Sequence, residues 1–205
     1  MRSEPYLIGV TGLSGSGKSY FIHSLFAEFD KGQIALLSQD HYYKPIEEQP
    51  VDENGIENFD TPQSIDLEHF EEDLRSLKES KSIEKEEYNF NHRDLKPKLL
   101  KIDPAPVILA EGIFSCYGAS LSSLYDYKIF IKASEEVSLE RRIQRDAIER
   151  GYDKSDVEYR YLNHVIPSFR EYIEPLENEA DLVVENNHSF DKELSLVTSH
   201  IKSIL

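Results

Sequence analysis

Five short apolar segments recur along the chain, and each has the length and composition of a buried β-strand. They are Tyr6–Val10, Ile34–Leu37, Val107–Ala110, Lys128–Ile131 and Leu182–Val184. Between them lie segments with apolar residues at helical spacing, the first of which carries Phe21, Ile22, Leu25, Phe26 and Phe29. Near-continuous apolar strands that alternate with amphipathic helices are typical of a parallel sheet covered on both faces. The pattern therefore predicts an α/β fold.

The region from about 47 to 103 interrupts this alternation, because it is polar, charged and poor in long apolar segments. Within it, Ser64–Glu79 is predicted to be a helix whose apolar stripe is Ile65, Leu67, Phe70, Leu74 and Leu77. The following segment, Ile83–Ile102, is compatible with a β-hairpin laid over the edge of the sheet. We therefore expect a single domain, residues 1–205, that carries an insertion at about 47–103.

The composition argues against several classes of binding partner. The 205 residues carry a formal net charge of −16, which argues against a long basic face for nucleic acid and against attraction to an anionic membrane. A single cysteine, Cys116, excludes an internal disulfide and is expected to be a buried apolar residue. The first ten residues lack the apolar region of a secretory signal, and no apolar segment has the length of a membrane span. We expect a soluble, cytoplasmic protein.

The first predicted strand is followed by GLSGSGKS, Gly12 to Ser19, which fits the P-loop pattern G-x-x-x-x-G-K-[ST] between a strand and a helix. The glycines allow a tight turn whose amides point at phosphate oxygens, and the helix beginning near Lys18 adds its N-terminal partial charge. We expect Lys18 to reach the β and γ phosphates and the Ser19 hydroxyl to bind Mg²⁺. The predicted nucleotide-binding residues are Gly12, Ser14, Gly15, Ser16, Gly17, Lys18, Ser19 and Tyr20.

Two carboxylates follow the next strands of the predicted sheet. The third strand ends in VILAEG, which places Glu111 beside the P-loop as a predicted Mg²⁺ ligand. Asp40, in SQDHYYKP, comes just after the second strand and is either a solvated loop residue or the group that meets an acceptor hydroxyl. The GTPase motifs D-x-x-G and N-K-x-D do not occur at the strand ends, so a phosphotransferase is favoured over a switch.

The segment RRIQRDAIER, Arg141 to Arg150, is a locally basic helix in an acidic protein. Arg142 and Arg145 are three residues apart and share one helical face. A lid at about 141–160 that brings arginines onto the transferring phosphate would exclude water and stabilise charge. The alternative is a solvated helix with ion pairs to Glu140, Asp146 and Glu149.

Taken together, GLSGSGKS, LSQDHYYKP, NFDTP, VILAEGIF, ERRIQRDAIERG and VIPSFREYIEPLENEADLVV resemble, in order and spacing, the uridine kinase-like family of the phosphoribulokinase/uridine kinase superfamily. The resemblance runs from about Tyr6 to Val184. It implies a P-loop nucleoside triphosphate hydrolase fold with a five-stranded sheet, a β-hairpin and an arginine-rich lid. It also implies Mg²⁺-dependent transfer of the γ-phosphoryl of ATP or GTP to the 5′-hydroxyl of uridine or cytidine in pyrimidine salvage, often by a homotetramer or another homo-oligomer.

The same resemblance implies roles for individual residues. Asp40 is similar to the general base of the family, and it joins Lys18, Arg142 and Arg145 in the expected catalytic set. The residues expected to bind the acceptor are Asp40, Tyr43, Asp60, Tyr88, His92, Arg142, Arg150 and Arg160. Among them, Asp60 resembles the ligand of the ribose hydroxyls, Tyr43 a pocket wall, and the pair Tyr88 and His92 the hairpin residues that meet the base.

The sequence departs from the family pattern on the acceptor side. His92 lies four residues after Tyr88 where five is usual, which would turn it to the other face of a strand. Glu86, Tyr152 and Arg160 stand where the family tends to have proline, arginine and glutamine. A kinase acting on another small alcohol is therefore an open alternative. A nucleotide-binding regulatory protein without catalysis is a third, against which Asp40 and Glu111 both argue.

Overall fold

The computed structural model describes residues 4–90, 96–149 and 151–205. Its strands are β1 Tyr6–Thr11, β2 Ile34–Ser38, β3 Ile83–Glu86, β4 Leu99–Ile102, β5 Val107–Glu111, β6 Tyr127–Lys132 and β7 Leu182–Glu185. Five of them form a parallel sheet in the order β2-β5-β1-β6-β7. This confirms the five predicted strands and the parallel sheet, and most strands extend one residue beyond the predicted apolar segment.

The remaining two strands, β3 and β4, pair antiparallel with Ile83 opposite Ile102. The hairpin predicted over Ile83–Ile102 is thus confirmed at its base, whereas residues 91–95 lie outside the described part of the chain. Strand β4 lies next to β2, which is an edge strand of the large sheet. The hairpin therefore lies beside the β2 edge of the large sheet.

The helices are α1 Lys18–Phe26, α2 Leu67–Lys78, α3 Ala119–Ser122, α4 Glu135–Glu149, α5 Lys154–Arg160, α6 Ile166–Ser168 and α7 Asp191–Ile204. π-Helical turns at Tyr161–Val165 and Phe169–Ile173 join α5, α6 and a final 3₁₀ turn at Glu174–Glu179. Helix α2 begins three residues later than the predicted Ser64, because the Asp66 side chain accepts a hydrogen bond from the His69 backbone N–H and caps it.

The core has two halves, one on each face of the sheet, because successive side chains of a strand point to opposite faces. Leu7 packs in one half and Ile8 in the other. The first half includes α2 and the helical stretch after residue 154, through residues such as Phe70, Leu74, Tyr161 and Phe169. The second includes α1 and α7, through residues such as Phe21, Leu25, Val197 and Ile201. Helices thus cover both faces, as predicted, and none within 4–90, 96–149 or 151–205 is long and apolar enough to cross a bilayer.

Cys116 is buried, with 2% of its surface exposed, and burial raises the pKa of its thiol to about 12. Because thiol reagents react with the thiolate, labelling should require the protein to open. We expect a disulfide reagent at pH 8 to label the native protein at least about a thousandfold more slowly than the urea-unfolded chain. Native labelling at the rate of the unfolded chain would contradict this packing.

Candidate active site

A cavity of about 540 Å³ opens at the carboxyl ends of β1, β2 and β5. We call it the main cavity. Many of the predicted site residues line it: Ser14, Gly15, Gly17, Lys18, Ser19, Asp40, Tyr43, Asp60, Tyr88, Glu111, Arg142, Arg145 and Arg160. His92 and Arg150 lie outside the described residues. Residues far apart in sequence are brought together here because the ends of parallel strands meet at one edge of the sheet.

The P-loop is a tight turn that ends on the first residue of α1. Gly17 caps the helix with φ of 93°, and Gly15 has φ of 85°, a conformation that favours glycine. A Cβ on Gly15 would lie 2.3 Å from the carbonyl oxygen of Ser138 on α4, so α4 approaches the loop backbone closely. Within the loop, Lys18 Nζ donates to the carbonyl oxygens of Gly12 and Leu13 at 3.0 and 3.2 Å.

The Lys18 ammonium is buried at the base of the main cavity. Burial is the largest cause that lowers the pKa of Lys18 to about 8, and the positive charges of Arg145 and Arg142 act in the same direction. The negative charges of Glu111 and Asp40 oppose the shift. Lys18 is thus mostly protonated at pH 7. Its positive charge would stabilise an anion bound in the main cavity, such as a phosphate.

Glu111 and Ser38 lie directly opposite each other on β5 and β2. The Ser38 hydroxyl donates to Glu111 Oε1 at 2.6 Å, which orients the carboxylate. Burial, followed by the negative charge of Asp40, raises the pKa of Glu111 to about 7. A buried carboxylate whose charged form is disfavoured by burial and by a neighbouring acid forms a site that a cation would stabilise.

The oxygen atoms around Glu111 are of the kind that bind Mg²⁺. Ser19 supplies a hydroxyl, and Glu111 and Asp40 supply carboxylates, all on the main cavity. In the described parts of the chain, no group of three His, Cys, Asp or Glu side chains could hold a metal alone. Mg²⁺ commonly binds through one or two protein oxygens and completes its shell with phosphate and water. The donor set therefore suits an ion that arrives with a nucleotide.

Arg142 on α4 is almost fully buried, with 6% exposed. Its Nη1 donates to Ser14 Oγ at 2.9 Å and to Asp60 Oδ1 at 3.2 Å, and its Nε lies 3.3 Å from Asp146 Oδ2. Burial alone would lower the pKa of Arg142, but the charges of Asp60 and Asp146 outweigh it and the net shift is upward. Arg142, on α4, thus contacts both the P-loop and the segment that carries Asp60.

The neighbouring arginines of α4 differ in their surroundings. Arg145 is about a third exposed and its Nε donates to Asp146 Oδ1 at 2.8 Å. Arg141, which the sequence did not single out, donates to the carbonyl oxygens of Ser16 and Asn186 at 3.3 and 3.0 Å. The alternative of a solvated helix with ion pairs fits Asp146 as a partner but is wrong for Arg142, which is buried and also pairs with Asp60.

Four aromatic side chains form one wall of the main cavity, which we call the acceptor wall: Tyr43, Phe59, Tyr88 and Phe90. Their ring centroids lie 4.8–5.9 Å apart in mostly edge-to-face contacts. His41 accepts a hydrogen bond on Nδ1 from the Tyr88 backbone N–H at 3.3 Å, which ties the hairpin to the Asp40 turn. The sequence does not single out Phe59 or Phe90, although Phe59 is adjacent to Asp60 in NFDTP and Phe90 lies midway between Tyr88 and His92 in YNFNH.

Tyr152 and Arg160, which depart from the family pattern, both line the main cavity. Arg160 Nη1 donates to the carbonyl oxygen of Glu57 at 2.6 Å and its Nε donates to Asp156 at 3.1 Å. The Tyr152 ring centre is 5.6 Å from the Arg160 guanidinium carbon. These two departures thus lie together at the cavity, whereas Glu86 is exposed and does not line it.

Tyr20 lies outside the main cavity, and about two thirds of it is exposed. It lines a neighbouring cavity of about 470 Å³ together with Gly17, Arg141, Asn186 and Phe190. Its ring contacts that of Phe190 with centroids 5.4 Å apart. Gly17 and Arg141 line both cavities, so the two are adjacent at the end of the P-loop. Gly12 and Ser16 are buried in the loop and line neither cavity.

Comparison with solved structures places the fold among P-loop kinases. The phosphoribulokinase of Rhodobacter spheroides matches with a TM-score of 0.62 and 16% identity over 88% of this chain and 70% of that one. A D-glycerate 3-kinase from Cryptococcus neoformans matches with a TM-score of 0.63 and 14% identity over 93% and 90% of the two chains. At these identities the likeness concerns the fold, and it confirms the predicted P-loop architecture.

Comparison of sequences gives a closer relationship. Proteins named uridine kinase are similar over nearly the whole length: one from Ligilactobacillus salivarius is 32% identical over 100% of this chain and 96% of its own, and one from Bacillus pumilus is 33% identical over 100% and 98%. Residues 7–191 match the model of the Phosphoribulokinase / Uridine kinase family. The resemblance predicted from the motifs is thereby confirmed. The chain belongs to the phosphoribulokinase/uridine kinase family.

Proposed function

We propose that this protein transfers the γ-phosphoryl group of a nucleoside triphosphate to the 5′-hydroxyl of uridine, and also of cytidine, as in pyrimidine salvage. One observation carries the proposal: a single cavity is lined by the P-loop, by a wall of aromatic side chains and by Asp40. The full-length similarity to proteins named uridine kinase supports uridine as the acceptor.

In the proposed reaction the side chains act mainly by positioning and by charge, because the transition state of phosphoryl transfer is loose. Lys18 and the lid arginines neutralise charge on the transferring group. Asp40 orients the acceptor hydroxyl and takes its proton as the bond to phosphorus forms. When bound, Mg²⁺ would neutralise phosphate charge, and Ser19 and Glu111 are the residues that would hold it.

The neighbouring cavity is the proposed place for the base of the donor nucleotide, and ATP is the proposed donor, with GTP as the alternative. It adjoins the P-loop at Gly17 and offers the exposed ring of Tyr20. Base–aromatic stacking contributes about 1–3 kcal/mol. We expect Tyr20→Leu to raise the donor KM about five- to tenfold while the uridine KM stays unchanged.

Initial rates at varied ATP, GTP and uridine measure this effect and the donor preference together. A suitable control is Leu196→Ala, which removes an exposed apolar side chain of α7 that lines neither cavity. An equal donor KM in Tyr20→Leu and wild type would place the donor base elsewhere.

A second candidate function keeps the chemistry and changes the acceptor to another small alcohol. The cationic Arg160 beside Tyr152 at the main cavity favours it, because a guanidinium only donates hydrogen bonds and attracts anionic or carbonyl-rich acceptors. The test is ADP release with a panel of uridine, cytidine, purine nucleosides, pantothenate and sugar phosphates. Saturable turnover of uridine far above the non-nucleosides supports the first proposal, and the reverse order supports the second.

The same panel tests the third possibility, a nucleotide-binding protein without catalysis. ADP release that no acceptor increases would favour it over both kinase proposals.

We further propose a cytoplasmic homo-oligomer, a tetramer or dimer, that binds neither nucleic acid nor membranes, in keeping with the net charge of −16. Light scattering on the purified protein measures the oligomeric state.

A further inference from the structure

Asp52 is the centre of a hydrogen-bonded cluster outside the main cavity. Its Oδ1 accepts hydrogen bonds from the backbone N–H groups of Asn54 and Ile56, each at 2.9 Å. Its Oδ2 accepts one from the Tyr159 hydroxyl at 2.7 Å and lies 2.8 Å from Nε2 of His164. Both carboxylate oxygens are therefore engaged, one by its own loop and the other by the helical stretch that follows the lid.

The hydrogen bonds that Asp52 accepts determine which groups of the cluster are charged and which donate. The backbone N–H of Ile56 is the largest cause that lowers the pKa of Asp52, and the hydrogen bonds from Tyr159 and His164 act in the same direction. The charged carboxylate has no proton to give, so Nε2 of His164 must be the donor. His164 is 2% exposed, and its Nδ1 has no hydrogen-bond partner among the described residues. Hydrogen bonds to a charged acceptor are the stronger kind.

The loop that Asp52 holds leads directly into the main cavity. Residues 51–57 close on themselves through a bridge between Val51 and Glu57, and Arg160 donates to the carbonyl oxygen of Glu57 at 2.6 Å. Phe59 of the acceptor wall follows two residues later, and Asp60 follows next. The loop itself is mostly exposed at 53–55, so polar contacts rather than apolar burial fix its position.

We propose that Asp52, Tyr159 and His164 form a clamp that positions Phe59 and Asp60 for the acceptor. The inference rests on the proposed function, since it assigns the acceptor to this wall. The three residues are positioning residues, because none of them lines the main cavity. The reacting groups Lys18 and Asp40 lie at the ends of the large sheet, so the clamp governs acceptor binding more than the transfer step.

The clamp is tested by Tyr159→Phe and His164→Phe, each of which removes one hydrogen bond to Asp52. We expect the uridine KM to rise about three- to tenfold in each, with the donor KM unchanged and kcat within about twofold. His164→Gln keeps an N–H donor and should restore most of the loss. The matched control is Tyr6→Phe, which removes the 3.0 Å contact between the Tyr6 hydroxyl and His200 Nε2 at the far side of the sheet.

Two measurements separate the clamp from the proposed function. If Tyr159→Phe and His164→Phe lose thermal stability like Tyr6→Phe but keep the wild-type uridine KM, the clamp is refuted. If the wild type does not phosphorylate uridine, the proposed function fails, and amide hydrogen exchange then decides on the clamp. Faster exchange at 57–61 in Tyr159→Phe than in Tyr6→Phe supports the clamp, and equal exchange overturns it.

Discussion

Replacing Asp40 with asparagine is expected to lower turnover of the acceptor about 10²–10⁴-fold, the range typical of a lost general base. The amide has nearly the same shape but cannot accept the proton of the hydroxyl. The affinity for the donor should stay within a few fold, because the P-loop and Lys18, and not Asp40, are the groups proposed to hold its phosphates. Single-turnover ADP release measures the first effect, and titration with a fluorescent nucleotide measures the second.

The control for Asp40→Asn is Glu47→Gln, which removes another acid that lines the main cavity. We expect it to change turnover less than about threefold, as for most surface substitutions without a specific role. Wild-type turnover in Asp40→Asn would mean that this carboxylate is only a repulsive neighbour of Glu111, whose pKa it helps to raise.

Replacing Arg142 with methionine is expected to lower the free energy of unfolding by about 3–5 kcal/mol, because it leaves Asp60 buried without its ion-pair partner. For a chain of this size the loss corresponds to a decrease in Tm of about 6–20 °C. Turnover should fall as well, since Arg142 joins the P-loop to the acceptor side through Ser14 and Asp60. Thermal unfolding and ADP release measure the two effects.

Two further variants separate the stability of the protein from the function of the arginine. Arg145→Met removes a more exposed partner of Asp146 and should cost about 1 kcal/mol or less. The double variant Arg142→Met with Asp60→Leu should regain much of the lost stability, because an apolar pair can replace a buried ion pair. Its turnover should remain low. Recovery of turnover in the double variant would show that Arg142 acts on stability alone.

The sheet and the grouping of residues around the P-loop could be predicted because each rests on a local pattern. The five apolar segments fix the strands, and the P-loop motif fixes the turn and the start of α1. Glu111 and Asp40 follow strands, and the rule that parallel strand ends meet at one edge brings them to the P-loop. Periodicity and chain order were therefore sufficient for this half of the site.

The acceptor side could not be predicted in the same way, because tertiary contacts between distant polar residues build it. Nothing in the sequence pairs Asp52 with His164, which are 112 residues apart. Arg141 and Arg142 are adjacent in one basic segment, but they point in different directions from the helix. Arg141 donates to a P-loop carbonyl, whereas Arg142 donates to Asp60. Phe59 and Phe90 carry no motif of their own. These residues become recognisable only when the cavity is known.

The separation of the large sheet from the surrounding segments has a consequence for the evolution of the family. Lys18, Asp40 and Glu111, three of the groups proposed to act in the transfer, lie at or after the ends of β1, β2 and β5, whereas Glu86, Tyr152 and Arg160 all lie outside the large sheet. Substitutions that alter the choice of acceptor can therefore accumulate without disturbing the strands that hold the chemistry. A lineage can therefore change its acceptor while it keeps the residues that carry out the transfer, and moving acceptor choice between relatives would require exchanging both the segment 43–103 and the segment that carries Tyr152 and Arg160.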